Sequence, residues 1–446
     1  MHKSTFIVIF VFIGLTNTLF AQEFEELSFS DAIQKGLAHN IDLRKNQNQL
    51  NALEISKTSA RLNYLPNVFA NLQAARQDGQ QFQLVEDGFE IKNVQADRFS
   101  AGLSASLSVF EGFSRSHQLK ISDYDYAAQL KGIERSKQRV VFTIGQQYLQ
   151  VLLDKKLVEI AEQNIENQQK QLAQIEGFVN AGLRPLADQY TQKATLSQLE
   201  LDYIQVENNY FLDKALLAQT LQLDPLYEFE VTSESLMLIP AENIYQLPTL
   251  YDRALNHRAD LQQLNLQQLS SERSLAASKS SFMPSLRAFY QYGTQYSSLN
   301  SLGFQEQFFD LYPNNTVGLN LSIPLFSNYA NKVNTAQAKV TVANNQLDEE
   351  ALKRRIFQDV QNAHLNYKAA FKRKDVSRNA LQAAKEASNI QNKRYAEGLS
   401  TLAELAFAQQ NLVTAQANLQ QANYNLVFQQ KIIDFHIGTL GLESIE

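Results

Sequence analysis

The side chains best suited to acid–base or metal chemistry are six histidines, His2, His39, His117, His257, His364 and His436, and they are scattered along the chain. None sits in an H-E-x-x-H pair or a carboxylate cluster, the spacings that would bring two ligands and a base onto one helix face. There is no cysteine, which excludes disulfides, thiolate metal sites, a cysteine nucleophile and lipid attachment through an N-terminal Cys. No Gly-rich phosphate loop is present. With a net charge of −6, the chain also lacks the basic footprint of a nucleic-acid binder. The sequence therefore predicts no catalysis, no cofactor, no metal site and no nucleic-acid partner. His39 and His257 are more informative as packing or polar positions, because they belong to a repeat.

His39-Asn40-Ile41-Asp42-Leu43 returns 218 residues later as His257-Arg258-Ala259-Asp260-Leu261. Tyr64-Leu65-Pro66 returns at the same offset as Phe282-Met283-Pro284. Val109-Phe110-Glu111-Gly112-Phe113 is echoed by Leu325-Phe326-Ser327-Asn328-Tyr329, and Ala181-Gly182-Leu183 by Glu397-Gly398-Leu399, both at 216 residues. A collinear offset that drifts by two residues is a tandem duplication of a unit far longer than a solenoid repeat. The expected organisation is a signal peptide over 1–21, copies over 22–223 and 248–437, a proline-bearing linker over 224–247 and a tail over 438–446. The signal is read from Lys3, the apolar run Phe6 to Leu15 and Ala21, with cleavage before Gln22 and an imperfect Leu19 at −3.

Each copy reads helix, two strands, a long helix, a Gly turn and a further helix. The helices are expected over 30–63, 114–181 and 185–223, then 249–281, 330–397 and 401–437. The first is cut before Pro66, since a residue preceding proline avoids α geometry. At 1.5 Å per residue the helix over 114–181 spans roughly 100 Å. Leu405, Ala408, Leu412, Ala415, Leu419, Ala422 and Leu426 follow alternating steps of three and four, as do Leu196, Leu199, Tyr203, Val206, Tyr210 and Leu217, with Asp213 in one slot. Leu157, Ala161, Ile165, Gln168, Leu172, Ile175 and Val179 do the same. This is a narrow coiled-coil seam, flanked by Gln, Asn, Lys and Glu.

The strands alternate with period two. Phe99, Ala101, Leu103, Ala105, Leu107 and Val109 share one face, with serines and Gly102 on the other. Val317, Leu319, Leu321 and Ile323 alternate likewise, as do Val68, Ala70, Leu72 and Ala74 and Leu286, Ala288, Tyr290 and Tyr292, with Phe69 and Phe289 as exceptions. Runs of roughly 9–12 residues suit a tilted membrane-crossing strand. A half-buried soluble sheet alternates in the same way. If the sheet is in lipid, four strands cannot close a barrel and open edges are forbidden, so the chain must oligomerise. The stretches 79–97 and 294–315 would then be outer loops.

The signal peptide, the duplicated unit, the two strand pairs and the turns Asn180-Ala181-Gly182-Leu183 and Ala396-Glu397-Gly398-Leu399 together resemble the TolC family of outer-membrane efflux proteins, over essentially the whole mature chain. The resemblance implies a homotrimer in the outer membrane, with a 12-stranded β-barrel continued by a long α-helical barrel in the periplasm. It also implies a periplasmic adaptor (membrane fusion) protein and an inner-membrane pump as partners, in an efflux or type I secretion system that the channel serves passively. By that likeness Gly182, Leu183, Gly398 and Leu399 are the tips that meet the adaptor. Asp188 and Tyr395 belong to a network closing the periplasmic mouth, and Glu404 to a constriction that draws cations, with Phe407 where a second acid would stand. A basic residue that some members carry two places after the second Gly is Ser400 here. Leu103, Leu107, Leu319 and Leu321 would face lipid. The rival expectation is a secreted or periplasmic structural coiled-coil protein with the strands as a small cap.

Overall fold

A computed structural model describes residues 25–85, 88–224, 228–232 and 246–440. The expected signal peptide and most of the expected linker lie outside these residues. The chain forms two compact units, one from residues up to 38, 144–239 and 377–427, the other from 39–143, 240–376 and 428 onward.

The second unit holds a four-stranded antiparallel sheet in the order β2-β3-β5-β6, formed by β2 (Asn67–Val85), β3 (Gly88–Glu111), β5 (Ser285–Ser297) and β6 (Asn314–Ser322). Helix α2 (Ile41–Leu62) leads into β2, and α6 (Ala259–Ser280) leads into β5. Strand β3 feeds α3 (Ser114–Asn180), and β6 feeds α7 (Ala330–Ala396). All four helix–strand junctions thus lie at one end of the sheet. The two turns into the long helices match each other in backbone. Gly112 and Phe113 have φ of 61° and 68°, and Asn328 and Tyr329, 216 residues on, have 45° and 64°. The register puts Leu103 between Ala70 and Tyr292, Ala105 between Val68 and Tyr290, and Ala288 between Leu107 and Leu319. One apolar face therefore crosses all four strands. On the polar face Phe69 and Phe289 are the exceptions, and Phe289 stands opposite Gly318. A side chain at Gly318 would meet the Phe289 ring at 2.6 Å, so the ring fills the space the glycine leaves.

The structure corrects four expectations. The stretch 79–97 is no loop: β2 and β3 stay in register from Asn67↔Ser106 out to Val85↔Gly88. Alternation weakens there into Gln-rich sequence, which hid the strand. Val109 does not continue the apolar face, because a bulge between Ser108 and Phe110 resets the register against β5. The helix expected over 249–281 is two helices, α5 (Leu247–His257) and α6, hinged at Arg258 with φ −65° and ψ 117°. The helix expected over 30–63 also divides, into α1 (Phe29–His39) and α2, at Asn40. There the Asn40 side chain accepts the Leu43 N–H at 3.0 Å and restarts the helix as its N-cap.

Arg258 is buried, which requires partners. Its guanidinium takes both oxygens of Asp260 (3.0 and 2.6 Å) and reaches Asp359 at 3.2 Å. Arg135, also buried, donates to Gln138 and to the Phe435 carbonyl, both at 3.1 Å. Burial pushes its guanidinium down to about 10. Gln138 donates to the Gly438 carbonyl at 3.1 Å. The end of α8 (Leu402–His436) is thereby tied to α3 by side-chain bonds to its last carbonyls.

In the first unit, β1 (Glu25–Leu27) pairs in parallel with β4 (Phe229–Val231), a strand within the stretch read as linker. The buried Tyr148 hydroxyl of α3 lies 2.7 Å from the Leu27 carbonyl and 2.9 Å from that of Thr232. The Phe29 ring lies 5.4 Å from that of Tyr148, and Leu27, Ile144, Leu217, Leu221 and Phe229 are buried in the same unit. Glu230 projects to Lys155 (2.9 Å), Lys214 (2.8 Å) and the Tyr210 hydroxyl (2.9 Å). Burial raises its carboxyl, but these donors outweigh burial and hold it at about 2. Nearby on the seam of α3 with α4 (Leu186–Leu221), Asp154 is 6% exposed. It accepts from Gln150 at 2.9 Å. Burial and the neighbouring Asp213 push its carboxyl up to about 7.

Candidate functional site

The far end of the first unit is where α3 turns into α4 and α7 into α8. Each long helix ends on a glycine in left-handed backbone, Gly182 at φ 74° and Gly398 at φ 80°. The next residue's N–H then reaches back five positions, Leu183 to the Phe178 carbonyl and Leu399 to that of Arg394, both at 2.8 Å. This closes the helix by the Schellman pattern. Leu183 and Leu399 end up exposed, at 70% and 64%. Two apolar side chains with no cover are thus held out at equivalent positions of the two turns.

Behind the turns Tyr395 is buried among Ile175, Leu402, Leu405 and Val179. Its hydroxyl donates to Asp188 Oδ2 at 3.3 Å. Burial, with the Asp188 charge adding to it, raises the phenol above its ordinary value. Sequence reasoning brought these two residues together. It missed Arg184, whose Nη2 donates to the Tyr395 carbonyl at 2.5 Å and whose guanidinium lies 4.3 Å from the Tyr395 ring centre. The signal was available in the repeat. Arg184 stands two places after Gly182, the offset that holds Ser400 after Gly398. The basic residue is in the first copy's turn instead of the second's. Both links cross from the first hairpin to the second.

Glu404 is not part of this cluster. Its carboxylate accepts the Thr401 N–H at 3.0 Å and its own N–H donates to Thr401 Oγ1 at 3.3 Å, a capping box that starts α8. The side chain is exposed, as is Phe407. Farther from the turns a second set of bonds joins the hairpins. Gln192, 1% exposed, donates to Gln168 Oε1 at 2.7 Å. Gln168 donates to Gln409 at 2.9 Å, and Gln409 to Gln171 at 2.5 Å. Gln168, Gln171 and Gln409 border a polar cavity of about 380 Å³ that also touches Tyr395. Buried amides at seam positions fix register at a cost in stability.

In the other unit, Leu103, Leu107, Leu319 and Leu321 share the apolar sheet face, and all but the half-buried Leu107 are exposed. The opposite face is a polar concavity of about 610 Å³ bordered by Asn71, Gln73, Ser100, Ser104 and Gln291. No described helix is long and apolar enough to cross a membrane. Among the described residues, no cluster of His, Cys, Asp and Glu could hold a metal ion.

The family model described as "Outer membrane efflux protein" matches this chain twice, over residues 32–221 and 250–438. The chain belongs to that family. As an outer membrane efflux protein it is a channel subunit of the outer membrane with its helices in the periplasm, and the reading as a secreted structural coiled coil is set aside. It is 21% identical over 440 residues to outer membrane protein TolC of Salmonella enteritidis, covering 98% of this chain and 87% of that protein. TolC of Escherichia coli is also 21% identical, over 442 residues with the same coverage. Among solved structures, the outer-membrane channel OprN superposes with a TM-score of 0.78 at 19% identity, covering 93% of this chain and 90% of its own. VceC of Vibrio cholerae superposes at 0.77 and 15% identity, covering 92% and 96%. These likenesses confirm the fold: helical hairpins joined to a four-stranded sheet.

Proposed function

We propose that this chain works as a homotrimer, the exit duct of a tripartite efflux or type I secretion system, conducting substrate passively without cofactor or catalysis. One observation carries the reading. The sheet has two open edges, β2 and β6, and an apolar face spanning all four strands. Lipid does not tolerate unpaired backbone groups, so the edges must pair with other copies. Three copies supply twelve strands, with Leu103, Leu107, Leu319 and Leu321 toward lipid and the polar concavity toward the lumen.

Within that assembly the tips Gly182-Leu183 and Gly398-Leu399 receive the periplasmic adaptor, and an inner-membrane pump supplies the energy. Arg184, Tyr395 and Asp188 hold the two hairpins together and keep the periplasmic mouth shut. Glu404, besides capping α8, contributes one carboxylate per copy to a ring that favours cations. Residues 1–21 are removed on export, and the copies over 22–223 and 248–437 arose by duplication, with 224–247 between them and 438–446 as a tail; the twofold family match supports this. Mass measurement in mild detergent tests the assembly. A trimer that conducts in planar bilayers is expected, and a stable, folded monomer in the membrane fraction overturns the proposal.

A further inference from the structure

The loop that joins β5 to β6 lies at the end of the sheet away from the helices, and it is built unlike a solvent loop. Gln307, fully buried, accepts the Ser297 N–H at 3.0 Å and donates to the Ser297 carbonyl at 3.1 Å and the Leu302 carbonyl at 2.5 Å. A π-helical turn, Glu306–Leu311, follows from residue 306. Phe304 and Phe308 stack at 4.9 Å, and both lie against Phe99, at 5.9 and 5.3 Å. Yet this rigid loop leaves Leu302, Phe304, Phe309 and Leu311 exposed. Rigid and apolar together is the wrong chemistry for a loop in water.

The register shows which side of the sheet the loop takes. Phe99 pairs with Tyr296, and Ala101 with Thr294. All four share a parity with Leu103 and Tyr292, on the apolar face. Thr294 is 6% exposed because the loop covers it, its hydroxyl donating to the Phe308 carbonyl at 2.5 Å. The Phe304–Phe308 part of the loop therefore folds back over the apolar face, while Tyr312 at the loop's base borders the polar concavity and accepts from Asn300 at 2.9 Å.

We propose that the loop between β5 and β6 is a lipid anchor, its Phe309, Leu302 and Leu311 side chains seated among the acyl chains of the outer leaflet just below the headgroups. The inference rests on the reading of this sheet face as lipid-facing. The occupant follows from continuity: the exposed side chains prolong a face that the outer membrane already covers. Aromatic rings are favoured at that depth, and a shelf of rigid rings loses little side-chain entropy on insertion. The shelf also fixes how deep the sheet sits, since the polar loop ends resist being drawn into hydrocarbon.

The chain contains no tryptophan, so a single introduced indole reports its own surroundings. Phe309→Trp and, as a second site, Leu311→Trp are placed in the full-length protein in phosphatidylcholine vesicles, with or without bromine on the upper acyl chain. Leu319→Trp marks the middle of the sheet face and Leu399→Trp the helical tip. Brominated lipid should cut the emission of the two loop variants and of Leu319→Trp at least twofold, and leave Leu399→Trp unchanged. Iodide in the buffer should quench only Leu399→Trp. If the loop variants respond to iodide and not to bromine while Leu319→Trp responds to bromine, the anchor is refuted and the membrane face stands. Loop variants shielded from both quenchers would place the loop between copies, which also refutes it. If Leu319→Trp ignores bromine, the lipid-facing reading itself fails and the anchor with it.

Discussion

Replacing Arg184 by alanine removes two contacts at once. The first is a charged donor's bond to the Tyr395 carbonyl at 2.5 Å, in the class that contributes about 1.5–3 kcal/mol. The second is the guanidinium over the ring at 4.3 Å, about 0.5–1 kcal/mol where water has access. Arg184 is half-buried, so the lower halves of both ranges apply and the sum is about 2–3 kcal/mol. Tyr395→Phe removes only the hydroxyl's bond to Asp188. At 3.3 Å that bond is longer than a good O–H···O contact, and about 1 kcal/mol is expected. The difference of about 1.4 kcal/mol is tenfold in the ratio of open to closed mouths per copy. Single-channel recording in planar bilayers should therefore find Arg184→Ala open far more often than Tyr395→Phe, with Asp188→Ala plus Tyr395→Phe between them. If Tyr395→Phe opens the channel as much as Arg184→Ala does, the ranking drawn from the geometry is wrong. If every variant conducts like the parent, the closing contacts lie elsewhere.

Asp154 predicts a pH effect on the α3–α4 seam. Its carboxyl titrates near 7 when folded against an ordinary 3.8; the folded state holds the proton more tightly. The stabilisation is complete below about pH 4 and is lost as pH rises through about 7, by up to about 4 kcal/mol over the whole window. Melting between pH 5 and 8 should show the decline, and Asp154→Asn should abolish it; an equal slope in both proteins speaks against the assignment. Arg258→Ala leaves the half-buried Asp260 and Asp359 without their shared cation, with Arg135 still 3.6 Å from Asp260, and chemical denaturation in detergent should record a loss of about 1–3 kcal/mol; no measurable change would mean that the ion pairs do not hold this corner of the fold. Gly398→Val meets no neighbouring atom within 4 Å, so its cost is backbone strain alone, about 1–2 kcal/mol. Adaptor capture should fail while trimer mass is unchanged. Leu321→Arg should lower the yield of inserted channel, by about 2–4 kcal/mol if it sits near the midplane, whereas Ser104→Arg should insert and conduct less.

Periodicity carried most of the fold. Ile175, Leu405, Ala408 and Leu426, read as seam positions from their spacing, are all buried, because a coiled coil leaves a three-and-four rhythm in the chain. The sheet face was legible for the same reason at period two. Signals failed where structure depends on one residue. Asn40 and Arg258 break helices through a cap and an ion pair, and neither interrupts the apolar rhythm. Strand β4 is three residues long, too short for any pattern. In the outer half of the β2–β3 hairpin the polar stretch from Arg76 to Gln81 interrupts the alternation before Phe82 and Ile91 resume it, and that gap reads as a loop. At the turns the glycines were plain, since left-handed backbone leaves little choice of residue. Arg184 was not, because its importance comes from reaching another hairpin, which local spacing does not encode.

The parallel pairing of β1 with β4 has a consequence for how such a chain could come to exist. The two strands flank the first family match, β1 ahead of residue 32 and β4 beyond residue 221, and Tyr148 holds them side by side. A stretch of chain whose two ends meet, pointing the same way, can be followed by a second stretch that starts from the place where the first began. Head-to-tail copying of the gene segment then demands no new connection: the newcomer inherits a launching point already fixed in position and direction. On the duplication proposed above, a clasp of six residues is enough to fix both the starting point and the direction of the second copy.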